Sequence, residues 1–324
     1  MFTENQNFSL VQTELDEIFR QNYEASLPPQ YATAMTADIF KVTDTTHAAY
    51  IGTIHKGPGL FSKIGEVQAV PSYVAKVANK WTVTIADFAE GIEISKNLFD
   101  DDFHGEWSSQ VSDLAIMARR TQDSNAFRIF RGAFSSTLTA DGISFINNAH
   151  TLIGGGTTSN RVVVADLGGA STTALTTSSF NIAMKKLAEM KSQSNVPLQC
   201  VGDTLLVPPA IYVTARQIAV SALVPENGNN AVNVFSMDYG VKVYQSVFLG
   251  TAGSDGATTG SDVAWFLLDS KRHAVRRFVR QGVQTALRDW TISNNRTYYY
   301  QANFREEVFV PDYIGAVGAS GDTV

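Results

Sequence analysis

Cysteine is almost missing from this chain. Cys200 stands alone among 324 residues, which removes intramolecular disulfides and thiolate metal clusters and fits a reducing compartment. Long apolar runs are missing as well: no stretch approaches the roughly eighteen residues that a membrane-crossing helix needs. The opening "MFTENQNFSL" has neither the basic start nor the apolar run of a signal peptide. The expectation is a chain that neither crosses a membrane nor is exported by that route. Charge is sparse, with Asp, Glu, Lys and Arg at 17% against 44% hydrophobic residues. That balance excludes extended disorder and leaves room for large buried contacts between subunits. A net charge of -6 gives no general basic footprint, so any contact with nucleic acid has to be local.

Signatures of catalysis are missing too. The histidines His47, His55, His104, His150 and His273 never stand at i, i+4 with a glutamate between them, so the helical zinc pattern is absent. "GTIHKGPG" begins like a phosphate loop but has Pro58 where the lysine belongs, and "GAVGASG" has no helix after it to supply a dipole. Both read as turns. There is no G-x-S-x-G elbow, and one cysteine without a fixed histidine partner makes no nucleophile. No catalytic residue, cofactor or metal is expected.

What the chain does have is an unusual order of parts. Ser9 and Gln12 resemble a capping box, and Val11, Leu15, Ile18 and Phe19 recur at helical spacing, which predicts a short amphipathic helix from Leu10 to Arg20. Pro28 and Pro29 end it, and the polar stretch up to Thr46 reads as an arm. From His47 to Ala78 a strand-like pattern is broken by Gly52, Gly57, Pro58, Gly59, Gly65 and Pro71, the mark of a long irregular hairpin. It nonetheless carries Tyr50, Ile51, Ile54, Leu60, Phe61, Ile64, Val67, Val70, Tyr73 and Val74, too much apolar surface to be left in water.

"KWTVTIADFAEGIEISKNLFDDD" alternates with one parity through Trp81, Val83 and Ile85 and with the other through Phe88, Ile92 and Ile94, so a bend or bulge is expected between Ile85 and Phe88. Asp100, Asp101 and Asp102 either complement the dipole of the helix after them or offer oxygen ligands to a cation; without calcium-loop spacing the first reading is the simpler. That helix runs from about Trp107 to Phe134, a spine of about 45 Å. A turn and short strand follow in "TADGISFINNAH". Beyond a boundary near Ala174, two helices and the strands "DTLLVPP" and "VKVYQSVF" form a compact α+β unit, closed by a surface loop from Gly250 to Asp262. Then come the buried strand "VAWFLLD", the basic segment with Lys271, Arg272, Arg276, Arg277, Arg280 and Arg288, and one or two long closing strands. The basic residues can touch phosphates or pair with acidic groups across an interface. Aromatic residues are not interleaved among them as base stacking requires, which favours pairing.

This order of parts resembles the HK97-like major capsid proteins of tailed phages, nearest to the major head subunits of Mu-like phages. The residues that carry the resemblance are "YIGTI" at Tyr50 to Ile54, "NKWTVTIADFAEGIEISKNLFDDD" from Asn79, the spine up to "GAF" at Gly132 to Phe134, and "DGISFINNAHT" from Asp141. The tryptophan-rich hairpin segment common in the Mu-like group is absent, and the middle unit is recognisable only by position. The resemblance implies an α+β fold with an N-terminal arm (1–45), an extended hairpin or E-loop (46–95), a P-domain (96–173 and 263–324) and an A-domain (174–262). It implies a virion shell protein that assembles in the bacterial cytoplasm. Its partners would be copies of itself in pentamers and hexamers, packaged double-stranded DNA held without sequence preference, and separate scaffold, portal and decoration proteins, with no membrane. The expected intersubunit contacts are Tyr50, Ile54, Leu60, Phe61, Ile64, Val67, Arg276, Arg277 and Arg280. The rival readings are an encapsulin-type compartment, similar in fold but housing cargo, and a cytoplasmic enzyme with an unrecognised site.

Overall fold

The change of phase inside "KWTVTIADF" marks a change of sheet. In the computed structural model, which describes residues 4–25, 27–74, 76–97, 106–168, 171–223, 232–255, 258–288 and 296–322, the strands on either side of Ile85 pair with different partners. In chain order the elements are α1 (Glu4–Tyr23), β1 (Lys41–Asp44), β2 (Ala49–Lys56), β3 (Lys76–Thr84), β4 (Ala86–Ser95), α2 (Glu106–Arg131), β5 (His150–Thr151), β6 (Thr157–Thr158) and α3 (Thr177–Ala188). They continue with β7 (Thr204–Val207), α4 (Tyr212–Ala219), β8 (Lys242–Gln245), β9 (Trp265–Leu268), β10 (Arg276–Arg288), β11 (Thr297–Phe309) and β12 (Ala316–Ala319). β3 pairs antiparallel with β2, whereas β4 pairs antiparallel with β11 from Ala86↔Glu306 to Ser95↔Thr297. The slip of one residue turns each half of the segment to the face that its own sheet buries.

Two four-stranded sheets organise the rest. One has the order β1-β10-β11-β4 and the other β12-β9-β7-β8. The short runs "TLLV" in β7 and "WFLL" in β9 are buried at every position, because both faces of the second sheet are covered. Leu206, Phe266 and Leu268 face Phe127, Phe130 and Phe145, while Leu205, Val207, Trp265 and Leu267 face Phe180, Leu187 and Ile218 on α3 and α4. A strand covered on both sides reads as continuous hydrophobicity, not alternation. β9 pairs with β7 and β12 pairs with β9, so this sheet draws on both sides of the expected boundary between Asp262 and Val263.

The spine is α2, about 39 Å long at 26 residues. Its C-terminal half belongs to the core under the second sheet. Its N-terminal half, with Val111, Leu114 and Ala115, packs on Leu15 and Phe19 of α1 and on Tyr300 and Ala302 of β11. The helix thus joins two cores.

Several expectations are corrected. The helix predicted from Leu10 to Arg20 is longer: α1 is already helical from Glu4 and runs to Tyr23. α1 lies on the spine of its own chain, where Tyr23 donates to Gln122 Oε1 at 2.7 Å and Arg119 donates to the Tyr23 carbonyl at 3.0 Å. Ile39 and Phe40, scattered in a polar stretch, are fully buried in the core shared by the spine and the second sheet. The loop from Gly250 to Asp262 is pinned by the buried Arg131, which donates to the Phe248 carbonyl at 3.0 Å, to Thr258 Oγ1 at 2.9 Å and to Asp255. "GAVGAS" is strand β12 and its approach, not a turn, and the basic segment forms most of the 13-residue strand β10. Asp100, Asp101, Asp102 and His104 lie outside the described residues.

Asp123 on the spine holds the segment after α1 in place by accepting the Ala34 N–H at 2.6 Å. Burial pushes its carboxyl up to about 6, against the opposing pull of that N–H and of Arg119 and Arg277. A carboxyl that holds its proton more tightly folded than unfolded lends stability at low pH and loses it as pH rises from about 4 through about 6. Asn keeps the acceptor oxygen and cannot ionise. Asp123→Asn should therefore gain on the wild type by about 2–3 kcal/mol between pH 4 and pH 7. Urea unfolding at the two pH values measures this, and parallel behaviour of the two proteins would show that Asp123 ionises as freely folded as unfolded.

Candidate assembly surface

The hairpin is built to leave the body of its own chain. β2 alternates along "AYIGTIHK", with Tyr50, Gly52, Ile54 and Lys56 turned inward and their neighbours outward. Its base is an aromatic anchor. Tyr50 stacks on Trp81 at 5.5 Å and meets Phe278 at 4.9 Å, and Trp81 lies 5.8 Å from Phe278 and 5.5 Å from Phe309. Gly52 makes this possible, because a Cβ there would stand 2.1 Å from Trp81 Cζ2. Only a residue without a side chain lets the indole lie flat across the strand. The base is thereby fixed to β10 and β11.

From base to end β2 spans about 26 Å over its 8 residues, and the chain from Gly57 to Val74 forms no strand or helix. Its apolar side chains stay in solvent: Leu60 is 80% exposed, Phe61 98%, Val67 100% and Val74 73%, with Ile64 and Tyr73 also exposed. Monomers rarely leave so much contiguous apolar surface uncovered, and where they do it marks an interaction site. Five turn formers, Gly57, Pro58, Gly59, Gly65 and Pro71, keep this segment from continuing either strand.

The expected contact residues therefore separate into groups. Leu60, Phe61, Ile64 and Val67 are together at the exposed tip. Tyr50 and Ile54 are half-buried, and Tyr50 is engaged by its own chain's aromatic anchor. Arg276 is exposed and Arg280 half-buried on β10. Arg277 is internal and does not face a neighbour. It is 6% exposed and donates through Nε to Glu306 Oε2 at 2.9 Å, with a second bond from Nη2. A guanidinium in a dry interior needs such a carboxylate. Arg277 and Phe278, adjacent on β10, are both buried, so no alternation in the sequence separates Arg277 from the exposed Arg276.

The turn that carries part of the resemblance is a structural lock. Asp141 accepts the Ile143 N–H at 3.0 Å and lies 2.8 Å from His150 Nδ1 through its other oxygen. Hydrogen bonds from His150 and Thr139 hold the Asp141 carboxyl below its ordinary range although burial opposes them. His150 is fully buried and stacks on Tyr313 at 4.3 Å. Asn160 is also fully buried; it donates to the Phe145 carbonyl and accepts the Asn147 N–H, each at 2.8 Å. These groups tie 139–160 to Tyr313 in the link between β11 and β12. His273, pushed down to about 4 chiefly by burial, has its Nε2 3.1 Å from the Asp38 carbonyl. Among the described residues no cluster of His, Cys, Asp and Glu is arranged to hold a metal, and no helix is long and apolar enough to cross a membrane.

A protein-family pattern described as phage capsid protein matches residues 79–319. Among solved structures the chain is similar to a virus-like particle from Pyrococcus furiosus, at 9% identity and a TM-score of 0.54 over 95% of this chain and 98% of that one. It is similar to the capsid of the cyanophage P-SCSP1u, at 14% identity and 0.54 over 92% and 90%. The capsid of an empty GTA particle is similar at 11% identity and 0.53 over 92% and 93%. At these identities the likeness is one of fold, and that fold is the HK97-like α+β architecture. No curated protein sequence matches the chain.

Proposed function

The chain belongs to the phage capsid protein family, whose pattern covers residues 79–319, and from that premise we propose that it is the major head subunit of a tailed phage. It is a structural protein, not an enzyme, and copies of it close into an icosahedral shell around a DNA genome. The single observation that carries the reading is the hairpin tip. Leu60, Phe61 and Val67 are almost bare, and each such side chain is worth about 1.5–3 kcal/mol once fully covered. Nothing in the described part of the chain covers them, so another copy has to. A patch on one face of a subunit that meets a different face of the next gives head-to-tail contacts, which close into rings.

In this reading, 46–95 locks adjacent subunits, 174–262 crowds around the axis of each pentamer or hexamer, and 96–173 with 263–324 forms the wall. Exposed Val213, Val234 and Met237 suit the crowded axis. Within the family the hairpin and turn motifs favour a place near the Mu-like head subunits. The packaged DNA would be met without sequence preference and only locally, because the net charge of -6 gives no general basic footprint. Scaffold, portal and decoration proteins would be separate chains. The second reading, a compartment that houses cargo, shares the fold, and the family match favours the phage. Electron microscopy of the purified protein is expected to show closed particles. DNase-resistant DNA in particles from infected cells would support the head, copurifying cargo protein would support the compartment, and a stable monomer or dimer at every concentration would overturn both.

A further inference from the structure

The stalk of the hairpin leaves one edge unpaired. Among the described residues β2 pairs only with β3, so the N–H and C=O groups on its other edge have no ladder partner. That edge borders a groove of about 550 Å³ between the stalk and the rest of the chain, lined by five consecutive residues of β2, Tyr50 to Ile54. Successive strand side chains point to opposite faces, so a wall made of five residues in a row is the backbone edge itself. β2 has no proline, and its one lysine stands at the far end, so nothing blunts the edge against an added strand.

Across from that edge stands positive charge. Arg272 and Arg276 line the groove. Arg272 gives Nη1 to the Leu198 carbonyl, which leaves other donors of its fork over, and Arg276 is exposed with no ion pair among the described residues. Two ladder pairs of like charge flank them. Lys41 stands beside Arg276 where β1 meets β10, and Lys56, two positions past Ile54 on the same face of β2, stands opposite Lys76. Like charges set side by side cost stability, and Lys41 is held below its ordinary range, chiefly by burial and further by Arg276. The groove's own carboxylate is turned elsewhere: Asp312 accepts the Tyr313 N–H at 2.8 Å, and burial pushes it up to about 6.

We propose that this groove takes an extended acidic segment of a separate chain as a third strand on β2, its main chain bonded along Tyr50 to Ile54 and its carboxylates on Arg272 and Arg276. Strand addition draws affinity from main-chain bonds and specificity from the alternate side chains. The segment therefore alternates acidic residues, turned to the arginines, with apolar ones beside the exposed Ile51. No described loop of this chain carries acidic residues at alternate positions, and its acidic strands β4 and β11 already lie in a sheet, so the occupant is another protein. A nucleic acid fits less well, because Tyr50 and Trp81 are stacked on each other and offer no platform for bases.

Calorimetry of the purified full chain with an eight-residue Val-Glu repeat, and with a Val-Lys repeat of the same length, tests this. The acidic peptide should bind and the basic one should not, and bound peptide should slow hydrogen exchange at N–H groups between Tyr50 and Ile54. Arg272→Glu with Arg276→Glu should weaken the acidic peptide at least tenfold. Should that double variant not fold, Arg276→Gln alone should weaken it at least threefold. Equal binding of the two peptides, unchanged affinity in the folded variants, or protection that misses β2 would each overturn the proposal. A duplex oligonucleotide that displaces the peptide and depends on the same arginines would overturn it in favour of nucleic acid. Peptide binding by free subunits that is lost in assembled particles would overturn it in favour of a second copy of this chain.

Discussion

Excising the hairpin tip, with residues 57–75 replaced by an Asn-Gly turn, should give a soluble, folded subunit that forms no particles at any concentration reached by the wild type. Lys56 and Lys76 are ladder partners at the ends of β2 and β3, so a two-residue turn joins them in register. The aromatic anchor at Tyr50, Trp81, Phe278 and Phe309 is untouched. Because Leu60, Phe61 and Val67 are exposed in the isolated chain, their removal takes nothing from its cores, and the Tm should stay within about 2 °C of the wild type. Light scattering and electron microscopy read the assembly, and calorimetry reads the fold. Efficient shell formation by the excised chain would show that the tip is not what holds neighbours together. A collapse of the Tm would show that the tip belongs to the internal core. Phe61→Asp with Ile64→Asp is the milder form of the same experiment, and it should weaken assembly far more than folding.

The parts of this architecture that were legible in the sequence are those in which one short segment answers to one environment. The tip's apolar excess, the two parities of "KWTVTIADFAEGIEIS" and the unbroken runs "LLV" and "WFLL" can each be read within one segment. What was not legible depends on partners far along the chain. Ile39 and Phe40 look like stray apolar residues until Phe127 and Phe130 of the spine are set against them at 5.4 and 6.1 Å from the Phe40 ring. Arg131 looks like any basic residue near a helix end until the loop around Asp255 folds over it. β10 escapes notice because its ladder with β11 shifts register between Val279 and Gln281 and again before Gln284. No single alternation runs along it, and the arginines hide the strand.

The largest loss of stability should come from Glu306→Ala. Glu306 is 1% exposed, and its Oε2 takes two bonds from Arg277 and one from Gln122 Nε2 at 3.3 Å, while Gln122 Oε1 accepts from Tyr23. The chain of contacts runs from α1 through the spine to β11 and β10, so one carboxylate ties together every layer on that side of the protein. Removing it leaves the Arg277 guanidinium buried, and arginine cannot shed its charge to escape. Breaking one side of such a pair costs about 3–5 kcal/mol, which for a chain of this size lowers the Tm by about 6–10 °C. Arg277→Met should cost less. Burial already pushes the Glu306 carboxyl upward, with Arg277 opposing it, and without the arginine that carboxyl can take a proton and become neutral. The single methionine variant should therefore recover stability as pH falls from 7 to 5, whereas Glu306→Ala should not. The double change Arg277→Met, Glu306→Leu, which leaves no buried charge at the pair, should return most of the lost stability. Urea unfolding of the four proteins at both pH values decides the matter. Equal losses for the two single variants, with no pH dependence in either, would show that the pair is worth no more than the volume it fills.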